Sequence, residues 1–103
     1  MKTAEPRGTV QEPAEVRAFC TRLKIRQLAR NAVRLVETNL KPKRVRLELA
    51  SDPEGDGEWL LIRADVDDIV DEVLENYSAC KKTWLRLAPP AKREYVRFLY
   101  NIL

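Results

Sequence analysis

At 103 residues and 11.9 kDa the chain has the length of one domain, and 45% apolar residues is the proportion of a folded globular protein. Three glycines and six prolines exclude a collagen-like or low-complexity chain, and the longest apolar run, Trp59-Leu60-Leu61-Ile62, is far short of the roughly 20 residues of a membrane span. Histidine is absent, which removes the commonest general base and metal ligand, and two cysteines cannot complete a cysteine-only zinc site or a disulfide framework.

The net charge of +3 conceals segregation. Residues 17–46 carry ten basic groups against Glu37 alone, residues 48–75 carry eleven acids against Arg63 alone, and residues 76–103 carry six bases against Glu94. Such blocks attract one another within a fold or attract separate partners. The first 25 residues lack the apolar core of a secretory signal and contain Glu5, Glu12 and Glu15, so a cytoplasmic protein with Cys20 and Cys80 as free thiols is expected.

In chain order, residues 1–13 hold Pro6, Gly8 and Pro13 with little apolar content and read as a flexible leader to a single α+β domain over residues 14–103. From Ala14 to Asn39 apolar residues recur at spacings of three and four, from Val16 and Phe19 through Leu23, Ile25, Leu28, Ala29, Ala32, Val33 and Val36 to Leu40. The spacing predicts one helix, firmest over residues 21–38, with Asn39 as its C-terminal cap before Pro42. Residues 43–50 alternate, with Val45, Leu47 and Leu49 on one side and Arg44, Arg46 and Glu48 on the other. The turn-forming stretch Ser51 to Gly57 then leads into a second strand over residues 59–64, closing a hairpin.

Asp65 and Asp67 are candidate N-caps of a second helix, whose apolar face is Val66, Val70, Val73, Tyr77, Cys80, Trp84 and Leu87 at 4-3-4-3-4-3 spacing. Pro89-Pro90 ends it. Pro90 to Glu94 can start a helical turn, but Val96, Phe98, Tyr100 and Ile102 alternate and favour a strand, which would support an otherwise marginal hairpin. The expected fold is α+β in the order α-β-β-α-β, a small, mainly antiparallel sheet with two helices on one face.

Arg22, Arg26, Arg30 and Arg34 stand four apart on the predicted first helix, extended by Lys41, Lys43, Arg44 and Arg46. Three like-charged pairs at that spacing cost roughly 1 kcal/mol together, so a compensating charge is expected. It can be nucleic-acid phosphate, the acids of residues 65–75, or an acidic partner protein. No aromatic residue interleaves the row, and a strand rather than a second helix follows it, which disfavours base stacking and helix-turn-helix reading.

Asp52, Glu54, Asp56 and Gly57 resemble the start of a calcium loop, but its third position is Glu54 and its twelfth Arg63. Asp65, Asp67, Asp68, Asp71, Glu72 and Glu75 can in principle hold magnesium, although acids at a helix start also complement its dipole. Both cysteines fall on apolar helical faces, outside any motif that activates a thiol. No catalytic site, cofactor, metal or small-molecule substrate is therefore inferred.

If Leu60, Ile62 and Ala64 face the helices, then Trp59, Leu61 and Arg63 lie on the opposite face of the sheet, joined by Tyr95, Leu99 and Leu103 if the tail is a strand. An exposed tryptophan, arginine and leucine have the composition of a protein–protein contact.

Glu58-Trp59-Leu60 entering a strand that ends near Arg63, an acid-started helix with Trp84, and Pro89-Pro90 before an alternating tail together resemble small bacterial α+β proteins found in toxin–antitoxin-like gene pairs. The resemblance covers about residues 25–103 and rests on packing and turn signatures, so it transfers no site residue. It implies a neutralising or accessory role. The expectation is a non-catalytic interaction domain, either a homodimer or the small, antitoxin-like subunit of a two-protein complex. Trp59, Leu61 and Arg63 are its protein-binding residues, and a nucleic-acid-binding module using Arg22, Arg26, Arg30 and Arg34 is the alternative.

Overall fold

A computed structural model describes residues 12–103 except Asp56. Most of the leader expected over residues 1–13, namely residues 1–11, lies outside the described residues. The elements run α1 (Ala14–Leu23), α2 (Arg26–Leu40), β1 (Arg44–Ser51), β2 (Glu58–Val66), α3 (Val70–Leu87), α4 (Pro90–Arg93) and β3 (Val96–Ile102). The fold is α+β, and the C-terminal segment is the strand that its alternation predicts.

The expected single first helix is two. A continuous helix advances about 100° per residue, which would place Val16, Phe19, Cys20 and Leu23 roughly 150° away from Ile25, Ala29, Ala32, Val36 and Leu40. Only one of those sets could then reach a core. The chain resolves the conflict at Lys24, which adopts the left-handed conformation with φ 60°. The Ile25 amide donates to the Cys20 carbonyl at 2.8 Å and the Lys24 amide to the Thr21 carbonyl at 3.2 Å, the paired bonds of a Schellman stop. Both apolar sets then reach the core, Leu23 only partly, with Cys20 and Ile25 all but inaccessible. Lys92 of α4 caps the freed carbonyls, its Nζ lying 3.2 Å from the Leu23 oxygen and 3.3 Å from that of Lys24. Helix α2 ends past Asn39, with Lys41 as the left-handed cap at φ 45°, while Asn39 itself donates back to the Leu35 carbonyl.

The sheet has the order β1-β2-β3, and it is mixed rather than mainly antiparallel. β1 pairs antiparallel with β2, setting Leu47 opposite Ile62 and Leu49 opposite Leu60. β3 pairs parallel with β2, setting Val96 opposite Leu60 and Phe98 opposite Ile62. Parallel neighbours need a crossover, and α3 supplies it. The α3 start also differs from expectation. Val66 belongs to β2, the N-terminal flanking residue of α3 is Ile69, and neither Asp65 nor Asp67 caps it.

Leu60, Ile62, Ala64 and Val66 on the inner side of β2 meet Val16, Phe19 and Cys20 of α1, Ala29, Ala32 and Val36 of α2, and Val73, Cys80 and Trp84 of α3 in one hydrophobic core. Trp84 stands edge-on to Phe98 at 5.3 Å, and the Tyr77 and Tyr100 rings meet at 4.7 Å, tying α3 to the inner side of β3.

The two-helix reading makes a stability prediction at Lys24. Glycine inside a continuous helix costs about 1 kcal/mol relative to alanine, whereas at a left-handed stop it relieves backbone strain. Lys24→Gly is therefore expected to be more stable than Lys24→Ala by about 1 kcal/mol in chemical denaturation; the reverse order would contradict the break.

Candidate protein-interaction face

The alternation that buries Leu60, Ile62 and Ala64 turns Trp59, Leu61, Arg63 and Asp65 to the other side of β2. Pairing adds Arg44, Arg46, Glu48 and Ala50 from β1, and Arg97, Leu99 and Asn101 from β3. All the helices that join the core lie on the opposite side. The three residues expected to form a contact face are thus brought together, and Leu99 joins them. Tyr95 and Leu103 do not: the Tyr95 ring meets Phe19 of α1 edge-on at 6.3 Å, on the helical side, and Leu103 lies beyond the end of β3.

The face is chemically ordered. Arg46 and Arg63 are direct cross-strand partners, an arrangement of like charges that is destabilising unless compensated. Compensation comes from acids on the diagonals. Arg63 Nε lies 2.8 Å from Glu48 Oε2, an ion pair off the direction of a good hydrogen bond, since that buried Nε has no hydrogen-bond partner. Arg46 Nη2 lies 3.4 Å from Asp65 Oδ1, which also accepts from Asn101 Nδ2 at 3.3 Å. Asp65, expected as a helix cap, is instead a buried anchor of this network.

At the other end of the face the Arg97 guanidinium lies 3.9 Å from the centroid of the Trp59 ring. Trp59 is half-buried in consequence, held in a cation–π stack rather than projecting freely. Leu61 is half-buried and Leu99 exposed between the charged groups. Arg97 and Leu99 join the outer face only through the pairing of β3 with β2, because alternation assigns a face but not a neighbour.

The arginine row is shorter than the sequence suggests. Arg22 belongs to α1, where its Nη2 lies 3.3 Å from Glu58 Oε1 and its guanidinium 5.5 Å from the Phe19 ring. Arg26, Arg30 and Arg34 remain aligned on α2, exposed and without an ion-pair partner among the described residues. The acids of residues 65–75 do not neutralise them: Asp67 pairs with Lys43 at 3.3 Å and Asp65 with Arg46.

Among the described residues, which do not include Asp56, no three of His, Cys, Asp or Glu are grouped to hold a metal ion. A groove of about 460 Å³ lies between the end of α2 and the start of α3, with Asp67, Asp68 and Glu72 beside Thr38, Asn39 and Lys41. It contains neither cysteine. No helix among the described residues is long and apolar enough to cross a membrane. Comparison with protein-family models, curated proteins and solved structures finds no match to this chain.

Cys20 and Cys80 are buried, and desolvation pushes both thiols above their ordinary value, with Glu12 adding to the effect at Cys20. Arg26 at Cys20 and Lys81 at Cys80 act in the opposite sense but less strongly. Because the unfolded thiols ionise first, their contribution to stability is intact below about pH 8.5 and is lost as pH rises through the folded values. The denaturation midpoint should therefore fall between pH 8 and pH 10, and fall less in Cys80→Ala. Both thiols should resist a disulfide reagent at pH 8 until the chain is unfolded; immediate reaction of either would reveal an activated cysteine.

Proposed function

We propose that the protein is a non-catalytic interaction domain acting in the cytoplasm, either self-associating or serving as the small, antitoxin-like accessory subunit of a two-protein complex. The open sheet face, with Trp59, Leu61 and Arg63 as its contact residues, is the docking surface. The observation that carries this reading is one-sided packing: the helices gather on one face, while the other presents Trp59, Leu61 and Leu99 among paired charges. Aromatic, aliphatic and arginine side chains on a rigid sheet are the composition of an interface centre. Fixing Trp59 beneath Arg97 and Arg63 beside Glu48 also lowers the entropy lost when a partner docks.

The test is a Trp59→Ser, Leu61→Ser double variant. It should lose about hundredfold in affinity for the protein that copurifies with the native chain, with an unchanged circular dichroism spectrum. If the variant unfolds, or binds as tightly as the native chain, the open face is not the docking surface.

The unneutralised Arg26, Arg30 and Arg34 favour one second reading, a nucleic-acid-binding module using α2. It requires log affinity for duplex or single-stranded nucleic acid to fall steeply with log salt, by about one unit of slope per phosphate contact. Arg26→Glu with Arg30→Glu should abolish that binding whatever residue stands at 59. Salt-independent or undetectable binding removes this reading.

A further inference from the structure

Among the described residues the outer edge of β3 pairs with no other strand, and it lacks the charges that guard the opposite edge of the sheet. β1, the opposite edge, carries Arg44, Arg46 and Glu48, whereas β3 carries Arg97 alone among seven residues. The Tyr95 carbonyl accepts from the Leu60 amide, and the Leu103 amide donates to the Val66 carbonyl. Strand alternation therefore points the backbone groups of Val96, Phe98, Tyr100 and Ile102 away from β2. The hydroxyl of Tyr77 reaches the outward carbonyl of Phe98 at 3.4 Å, in keeping with this geometry.

Above that edge runs an apolar stripe on α3. Val70, Leu74, Lys81 and Leu85 stand at 4-7-4 spacing on one flank, and the three apolar members are 54%, 48% and 49% exposed. Lys81 fixes which flank this is, since its Nζ lies 5.9 Å from both the Tyr77 and the Phe98 ring, on the β3 side. The α2 side of α3 is the one marked by Glu72 and Asn76, which line the groove with the end of α2.

The charges beside the stripe say what covers it. Asp71 and Glu75 stand in the first half of α3, Lys82 and Arg86 in the second, and none has an ion-pair partner among the described residues. These four lie on the outward rim of the stripe, roughly 100–160° round the helix from Val70, and acids at one end of that rim with bases at the other are complementary to an antiparallel copy.

We propose that β3 and this flank of α3 form the interface of a two-fold homodimer, in which β3 pairs antiparallel with β3 of a second copy. A two-fold axis at Leu99, the middle of the strand, pairs Phe98 with the partner's Tyr100 and Val96 with the partner's Ile102, using the outward-pointing backbone groups. It brings the two Leu99 side chains, each 44% exposed, together on the open face. The same axis sets Leu74 against the partner's Leu85, Glu75 against the partner's Lys82, and Asp71 against the partner's Arg86. The two three-stranded sheets become one of six strands, and the two open faces become one. The inference rests on the reading of the protein as an interaction domain but uses a different surface, so the two fail separately.

The test is sedimentation of the full chain, native and variant, over a wide concentration range at moderate salt. The native chain should dimerise. Glu75→Lys and Lys82→Glu should each weaken the dimer about tenfold or more, since each reversal acts twice in a symmetric interface, and the double variant should recover most of the loss. Leu74→Glu with Leu85→Glu should give a monomer whose circular dichroism is native, because both side chains are already exposed. The Leu74→Glu, Leu85→Glu monomer should bind a protein docked on the open face as tightly as the native chain does, which separates this interface from that face. A chain that stays monomeric at hundreds of micromolar, or a dimer that neither charge reversal nor the leucine pair weakens, overturns the proposal.

Discussion

The arrangement of this protein depends on the central strand β2, whose side chains must serve two different environments at alternate positions. Leu60, Ile62 and Ala64 are essentially inaccessible, and burying a side chain the size of Leu60 or Ile62 contributes about 1.5–3 kcal/mol. The intervening Trp59, Leu61 and Arg63 cannot share that environment. Because the α3 crossover lies on the same side of the sheet as α1 and α2, no helix among the described residues is left to cover them. The open face therefore follows directly from how the core is made.

The charge blocks take on meaning in the same frame. Two of the arginines in β1 and β2 are balanced locally, Arg63 by Glu48 and Arg46 by Asp65, so the sheet face holds them at fixed positions. The helical charges are left unbalanced: Arg26, Arg30 and Arg34 on α2, and the acid-then-base sequence along α3. Arg22 of α1 is also paired, with Glu58 of β2, so the unpaired charges on the helices gather on the outward surfaces of α2 and α3. Partners, including a second copy of the chain, would meet those outward charges first.

Much of this arrangement is legible in the amino-acid pattern alone. Alternation in β2 assigns Trp59, Leu61 and Arg63 to one face, and alternation over residues 96–102 places the last strand despite the helical turn that precedes it. Three features are not legible in that way, each for a physical reason. The stop at Lys24 has no glycine or proline to announce it; its signal is a jump in the phase of the apolar residues, visible only when Val16 and Phe19 are compared with Ala29 and Val36. Val66 continues the spacing of the α3 face but is held by β2, because strand pairing outweighs helical periodicity there. The stacking of Arg97 on Trp59 depends on a parallel register between distant segments, which local pattern does not encode.

The central claim is that a partner sits on the open sheet face in the cell. Hydroxyl-radical footprinting measures it most directly, by comparing the chain purified alone with the complex recovered intact from its own cells. The account predicts that oxidation of Trp59 and Leu61 slows in the complex, while exposed apolar residues on α3 near its C-terminus, such as Leu87, change little. Equal oxidation of Trp59 and Leu61 in the two samples, with protection confined to α2, would contradict it.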